Sequence, residues 1–440
     1  MRVMCASVPP EANVAPNPPA CRFNLFETEP TEGAEMSSTA DQIVEKPAHV
    51  PAELVRDFDF YNDAGLREKA QAHYRELLGH YPDVFWTPRN GGHWVVMGSQ
   101  AVRDAFHDWE HFRNSGQTGI GGQPGPAEEL FLPIQLDPPV HERYRALINP
   151  LLGPRAVNDM KGQVSALSTE LIDAVEAKRE CDFVDSISQP LPVKIFMMQM
   201  GLPLDRYREF AGWVQTFLNG NTVEERDEAM MRFHNVLTEL LRERQKSPTD
   251  DWMSKLLSLR LDGRELDVQK EVLPIAMLLF VGGLDTVKNT LGHIFRILAG
   301  RPDLQAWIRQ HPERIPEALE ELFRYLGGTS PPRRVGADIV FHGAPMNKND
   351  MVALVTGTVG IDERAIDRPF EIDFERDQKP HATFGTGPHR CAGSNLARLE
   401  MRIFIEQWFA RIPEFRIKPG TNPVFNPGTV NAIDRLILEW

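Results

Sequence analysis

Cysteine is scarce in this chain. There are four in 440 residues, Cys5, Cys21, Cys181 and Cys391, and none sits in a C-x-x-C spacing. A disulfide framework and a small zinc module are thereby excluded, and a reducing compartment fits. Long apolar runs are missing too. No stretch reaches the roughly 18 apolar residues of a membrane span, and the longest, residues 273–284, runs straight into Asp285 and Lys288. Positive charge is in deficit: the formal net charge of −14 argues against general binding to nucleic acid or to an anionic membrane surface. No charged-then-apolar leader opens the chain, so a cytoplasmic protein is expected. Hydrophobic residues make up 42%, enough for one large core.

Residues 1–45 are rich in proline, alanine and small polar residues, with six prolines in the first thirty. Such a composition buries too little apolar surface to offset chain entropy, so a disordered tail is expected. Met36, in M-S-S-T-A-D, offers an alternative start. Residues 46–440 are expected to form a single domain.

The chain is organised around residues 384–393, F-G-T-G-P-H-R-C-A-G. Cys391 lies behind a loop with glycines at 385 and 387, and S-N-L-A-R-L-E-M-R-I-F follows with Leu396, Leu399 and Phe404 at helical spacing. A cysteine at the junction of a constrained loop and a helix N-terminus meets backbone N–H groups and a dipole that favour the thiolate, the form that binds iron. His389 and Arg390 are expected to add positive charge beside the sulfur. The glycines are expected to let the backbone approach a flat ligand.

A second constellation lies in residues 271–298, expected as one helix of about 28 residues and about 42 Å, apolar nearly all round and therefore central. In its middle stands V-G-G-L-D-T-V. Adjacent glycines weaken a helix interior by roughly 0.5–1 kcal/mol each, so they need a reason, and close approach of a ligand supplies one. Asp285 and Thr286 put a carboxyl and a hydroxyl beside them. The threonine can bond back one turn and bend the helix, leaving a widened turn. Elsewhere, His141 and Arg145 lie four apart on one helical face, as two cationic donors for a carboxylate ligand. Glu321 and Arg324 lie three apart, and Arg333 is a further candidate donor.

The remaining pattern is mainly α with a minor, segregated β region. Helices are expected at 66–78, 101–112, 164–177, 192–200, 207–218, 229–246, 252–259 and 315–326. A hairpin around Asn90-Gly91 and short strands near 333–341, 351–358 and 417–440 make up the β component. Residues 113–128 read as a Gly- and Pro-rich loop that could line a pocket. Cys181 reads as a core residue.

Phe384, Gly387, Cys391 and Gly393 fit F-x-x-G-x-x-x-C-x-G, and the chain from about residue 47 onward resembles the cytochrome P450 family. L-L-F-V-G-G-L-D-T-V, E-R-I-P-E-A-L-E-E-L, R-N-G-G-H-W and L-A-R-L-E are most similar to the bacterial camphor-hydroxylase branch. The resemblance implies a haem b whose axial ligand is Cys391, with Phe384, Gly385 and His389 against it and His141, Arg145 and Arg333 on its propionates. It implies monooxygenation, with Asp285 and Thr286 supplying protons, and Glu321, Arg324 and Arg376 supporting the cysteine loop. It also implies a [2Fe–2S] ferredoxin served by an NADH-dependent reductase, a mobile middle-region lid, and a monomer.

By the same resemblance the substrate pocket comprises Thr118, Leu130, Leu278, Val281, Gly282, Thr329, Thr429 and Val430. Where the camphor enzyme holds a ketone with a tyrosine, this chain has Glu129 or Leu130, and Thr118 stands nearest a lost aromatic wall. A roomier apolar pocket is therefore expected, suited to ionone-like norisoprenoid ketones rather than camphor. Glu110 and Glu142 fall where that branch presents arginines to its ferredoxin. The rival readings are a peroxide-driven haem-thiolate enzyme and a haem-based sensor or ligand-binding protein without turnover; the intact Asp285-Thr286 pair speaks against both.

Overall fold

The computed structural model describes residues 43–440 apart from 116–118, 121–130, 221 and 427. All of them fall in one compact unit. Helices dominate, and the described strands form one five-stranded sheet, one three-stranded sheet and three two-stranded ones. The five-stranded sheet is ordered Val84–Thr87, His93–Val96, Met351–Leu354, Pro332–Val335, Phe112–Arg113, with one parallel pairing, between the second and third strands. The Asn90-Gly91 hairpin forms as its dipeptide predicts: Asn90 (φ 53°) and Gly91 (φ 78°) are both left-handed. Residues 101–112 are not one helix. The helix Ser99–His107 ends early and Phe112–Arg113 joins the sheet edge. Nor is 351–358 all strand, since Thr356–Ile361 turns into a 3-10 segment.

The main core lies among the helices. Phe183 stacks on Phe295 at 4.1 Å between centroids, and Trp408 packs edge-on against Phe295 at 5.3 Å. Cys181 is buried here, and burial pushes its thiol up to about 12, as suits an inert core residue.

The central helix is interrupted. It runs as Leu273–Leu284, breaks at Asp285 (φ −117°, ψ −37°), and resumes as Thr286–Ala299. The expected back-bond is present: the Thr286 hydroxyl donates to the Gly282 carbonyl at 3.3 Å. The two glycines before the break have different reasons. A Cβ on Gly282 would meet nothing within 4 Å, whereas one on Gly283 would lie 2.2 Å from the Phe196 ring. Phe196 is itself pinned edge-on against Trp252 at 5.1 Å. Gly282 therefore faces open space, and Gly283 lets the helix Pro190–Met200 pack close.

That difference is measurable. Gly283→Ala overpacks a rigid contact and should cost about 1–3 kcal/mol, while Gly282→Ala should cost nothing or gain slightly from helix propensity. Urea denaturation of the two variants side by side checks the contrast.

Candidate active site

One cavity of about 530 Å³ collects most of the residues singled out in the sequence. Leu278, Val281, Gly282, Asp285 and Thr286 line it from the broken helix. His141 and Arg145 come from the helix Val140–Leu152, and Arg333 from the sheet. Thr329, Thr429 and Val430 line it from loops, and Phe384, Gly385, His389 and Cys391 from the cysteine loop. Thr118, Glu129 and Leu130 lie outside the described residues.

The cysteine loop is held by its own backbone: the Cys391 N–H donates to the Phe384 carbonyl at 2.8 Å, just ahead of the helix Ser394–Arg411. Gly385 and Gly387 both have left-handed φ, near 66° and 67°. The two glycines differ in what surrounds them. A Cβ on Gly387 would lie 2.5 Å from the Phe106 carbonyl oxygen, so that glycine serves backbone packing. Gly385 lines the cavity but also sits near the Phe106 ring.

The charge around the sulfur differs from the sequence expectation. His389 is neutral: burial, reinforced by His141, Arg333 and Arg145, pushes it down to about 2. Arg390 is exposed, and its carbonyl accepts from Arg145 at 2.7 Å. The cations that favour the thiolate are Arg145 and Arg398, together with the N–H groups of Gly393 and Ser394. The surrounding protein pushes the Cys391 thiol up against their pull, although the residue itself is open to the cavity, where a metal would displace its proton.

The same correction applies to His141. It is not a second cation beside Arg145, because burial and then Arg145 lower it to about 4. The His141 and His389 rings lie 3.9 Å apart, and His141 Nδ1 and His389 Nε2 are buried without a hydrogen-bond partner. Arg333 is only 5% exposed, and burial lowers it to about 10. It donates to the neighbouring Pro332 carbonyl at 2.7 Å and lies over the Phe106 ring at 5.3 Å. Asp137, the nearby carboxylate, is already taken by the Asn114 N–H at 2.8 Å and the Ser115 hydroxyl.

Two guanidiniums and two imidazoles thus converge without a dedicated anion, an arrangement that a ligand carrying carboxylates would satisfy. Among the described residues no cluster of three or more His, Cys, Asp or Glu could hold a metal ion, so iron bound at Cys391 would bring its other ligands with it. A haem, flat, apolar and doubly carboxylated, fits this donor set.

Asp285 is 4% exposed. Its carboxylate accepts from the Asn289 amide at 2.9 Å and pairs with Lys288 at 3.6 Å. Burial pushes its carboxyl up, against the pull of Lys288.

Below the loop, Glu321 and Arg324 are fully buried and paired at 2.7 Å, and Arg376 reaches Glu321 at 3.3 Å. Arg324 also donates to the carbonyls of Gly360, Pro369 and Glu371, tying the helix Ile315–Leu326 to the strand-to-loop segment. A second network went unread in the sequence. Glu320 accepts from Arg398 at 2.5 Å and 3.0 Å and from His381 at 3.1 Å, and Arg398 lies 4.3 Å over the Phe384 ring. Its only sequence signal was its place as the first glutamate of E-E, next to Glu321. Glu400 went unread too: it lines the cavity, and burial pushes it up to about 8, so it is protonated at neutral pH.

Comparison with known proteins agrees with this geometry. The cytochrome P450 family pattern matches residues 207–318 and 315–431. A probable cytochrome P450 127A1 of Sinorhizobium fredii is 34% identical over 403 residues, covering 90% of this chain and 96% of its own. A steroid C26-monooxygenase of Mycobacterium tuberculosis is 31% identical over 372 residues, covering 82% and 89%. Among solved structures, CYP101J2 matches with a TM-score of 0.83 at 33% identity, covering 90% of this chain and 100% of that one, and CYP101C1 with 0.81 at 32%, with the same coverage. The chain belongs to the cytochrome P450 family of haem-thiolate monooxygenases, whose cofactor is haem b with a cysteine thiolate on the iron.

Two outcomes follow from the networks under the loop. Arg324→Met removes the closer of the two cations on the buried Glu321 carboxylate and leaves it with Arg376, a loss of about 3 kcal/mol; haem retained per protein, read by the Soret-to-protein absorbance ratio, should fall with it. For Glu320, burial raises the carboxyl but the His381 and Arg398 bonds hold it at about 2, against 4.5 when free. Its stabilisation is therefore full above about 4.5 and is lost as pH falls toward about 2. The stability gap between the wild type and Glu320→Gln should narrow over that window.

Proposed function

We propose that this P450 hydroxylates a small apolar ketone of the norisoprenoid, ionone-like type, drawing electrons from NADH through a ferredoxin reductase and a [2Fe–2S] ferredoxin. The observation that carries the reading is the helix break that sets Asp285 and Thr286 on the wall of the cavity holding Cys391. Haem b, when bound, supplies the activation of O2 and the insertion of one oxygen atom into a C–H bond, the other leaving as water after two electrons and two protons.

The chain's own groups then have distinct tasks. Cys391 would hold the iron as thiolate. Arg145, Arg333 and the neutral imidazoles of His141 and His389 would hold the propionates. Leu278, Val281 and Val430 supply an apolar wall that excludes water, and Thr329 and Thr429 carry hydroxyls on that wall. Asp285, whose carboxyl burial pushes up, would act as proton donor, with the Thr286 hydroxyl beside it on the cavity wall. The exposed Glu110 and Glu142 give the electron-transfer face a charge that selects its ferredoxin and makes the camphor system's ferredoxin a poor substitute.

Substrate that displaces water from ferric haem shifts the Soret band toward high spin. A titration with β-ionone should give a strong shift and one with camphor little; strong camphor binding or silence toward ionones would overturn the substrate assignment. Thr286→Ala should keep consuming NADH while product per NADH drops by about tenfold or more and peroxide rises. Unchanged product yield would remove Thr286 from the proton path.

A further inference from the structure

Lys288 is the least expected charge in the protein. It lies one turn past Asp285 on the helix Thr286–Ala299 and is only 4% exposed. A buried ammonium is costly unless paired, and this one lies between two carboxylates: Asp285 at 3.6 Å and Asp434 at 3.9 Å. Asp434 belongs to the strand Ala432–Arg435, half of the C-terminal hairpin that it forms with Val424–Asn426.

Lys288 is one of several ties between helix and strand. The Ile433 N–H donates to the Asn289 amide oxygen at 3.1 Å, and the His293 ring bonds the Asn431 carbonyl at 3.0 Å. A Cβ on Gly292 would lie 2.6 Å from Ile433 Cγ2, so the strand is in close contact along the helix. Asn289 in turn donates to the Asp285 carboxylate at 2.9 Å. The two groups that pair with the Asp285 carboxylate, Lys288 and Asn289, are on its own helix, and both lead on to this one strand, whose Asp434 carboxylate also acts on Asp285. The turn of the same hairpin carries Thr429 and Val430 into the cavity wall.

We propose that Lys288 is a positioning residue for proton delivery: it aims the Asp285 carboxyl and ties it, through Asp434, to the hairpin whose turn touches the substrate. This rests on the reading of Asp285 and Thr286 as the proton-delivery pair. Proton supply here is consequently set by the C-terminal hairpin, so a substrate that packs well against Thr429 and Val430 also steadies the acid. The ammonium acts as a fixed charge, and arginine, which keeps that charge, should replace it.

The test uses the haem-loaded protein with Lys288→Met, Lys288→Arg and Asp434→Asn, and Thr286→Ala as a control. Substitution by methionine keeps length and removes charge, and haem content reports whether each variant has folded. In Lys288→Met, product per NADH should fall by about tenfold, the factor that one unit of proton affinity represents, while the midpoint of the substrate-induced Soret shift stays within about twofold of wild type. Infrared spectra of the ferric protein should show a stronger neutral-carboxyl band than wild type at the same pH, and this increase should be absent in the Lys288→Met, Asp285→Asn double variant, where the protonated Glu400 still contributes. Lys288→Arg should restore most of the yield, and Asp434→Asn should lose part of it. Wild-type coupling in a folded Lys288→Met protein, or failure of arginine to rescue, would overturn the proposal. If Thr286→Ala is uncoupled while Lys288→Met is not, only this inference fails; if Thr286→Ala stays coupled, the proton-delivery reading beneath it fails.

Discussion

Positive charge taken out of water around one cavity is the constraint on which the rest of the structure depends. Arg333 is buried with a carbonyl and an aromatic face for company, and Arg145 is partly desolvated beside Cys391. Left to themselves such groups cost several kcal/mol each. A dicarboxylate ligand would satisfy both and also draw on His141 and His389, whose burial keeps them neutral yet still able to donate. On the proposed reading cofactor binding and folding are coupled: the groups that destabilise the polypeptide alone would be the ones that orient the haem.

The same logic explains the helix that crosses the cavity. A continuous apolar helix would pack well and do nothing. Interrupting it at Asp285 frees backbone groups on the wall of the cavity that also holds Cys391, and the Thr286-to-Gly282 bond spans the interrupted turn. Rigidity comes from behind, where Gly283 allows Phe196 against the helix and Asn289 grips the C-terminal strand. Beneath the cysteine loop two ion networks, around Glu321 and around Glu320, hold the thiolate side of the pocket to the helix Ile315–Leu326.

How legible all this was depended on whether a residue's role is local. The Cys391 loop, the Asp285-Thr286 pair, the Asn90-Gly91 hairpin and the helix Ile315–Leu326 could be read because short-range spacing dictates them. Roles set by distant contacts could not. Two adjacent glycines look alike in sequence, and only the position of Phe196 separates the one that faces the cavity from the one that admits a neighbouring helix. His141 and His389 were read as charged because composition cannot show that burial discharges them. Glu320, one residue from a recognised partner, was invisible until His381 and Arg398 came to it from far along the chain. Lys288 looked like the polar end of an apolar run and proved to be buried between two carboxylates.

The most direct test of the central claim, that Cys391 as thiolate holds the iron of a haem seated on this cationic rim, is the absorption spectrum of the reduced protein under carbon monoxide. The account predicts the long-wavelength Soret band that thiolate ligation gives, and its loss in Cys391→His with haem still bound. An imidazole-type band in the wild type, or a thiolate band that survives the Cys391 substitution, would contradict it.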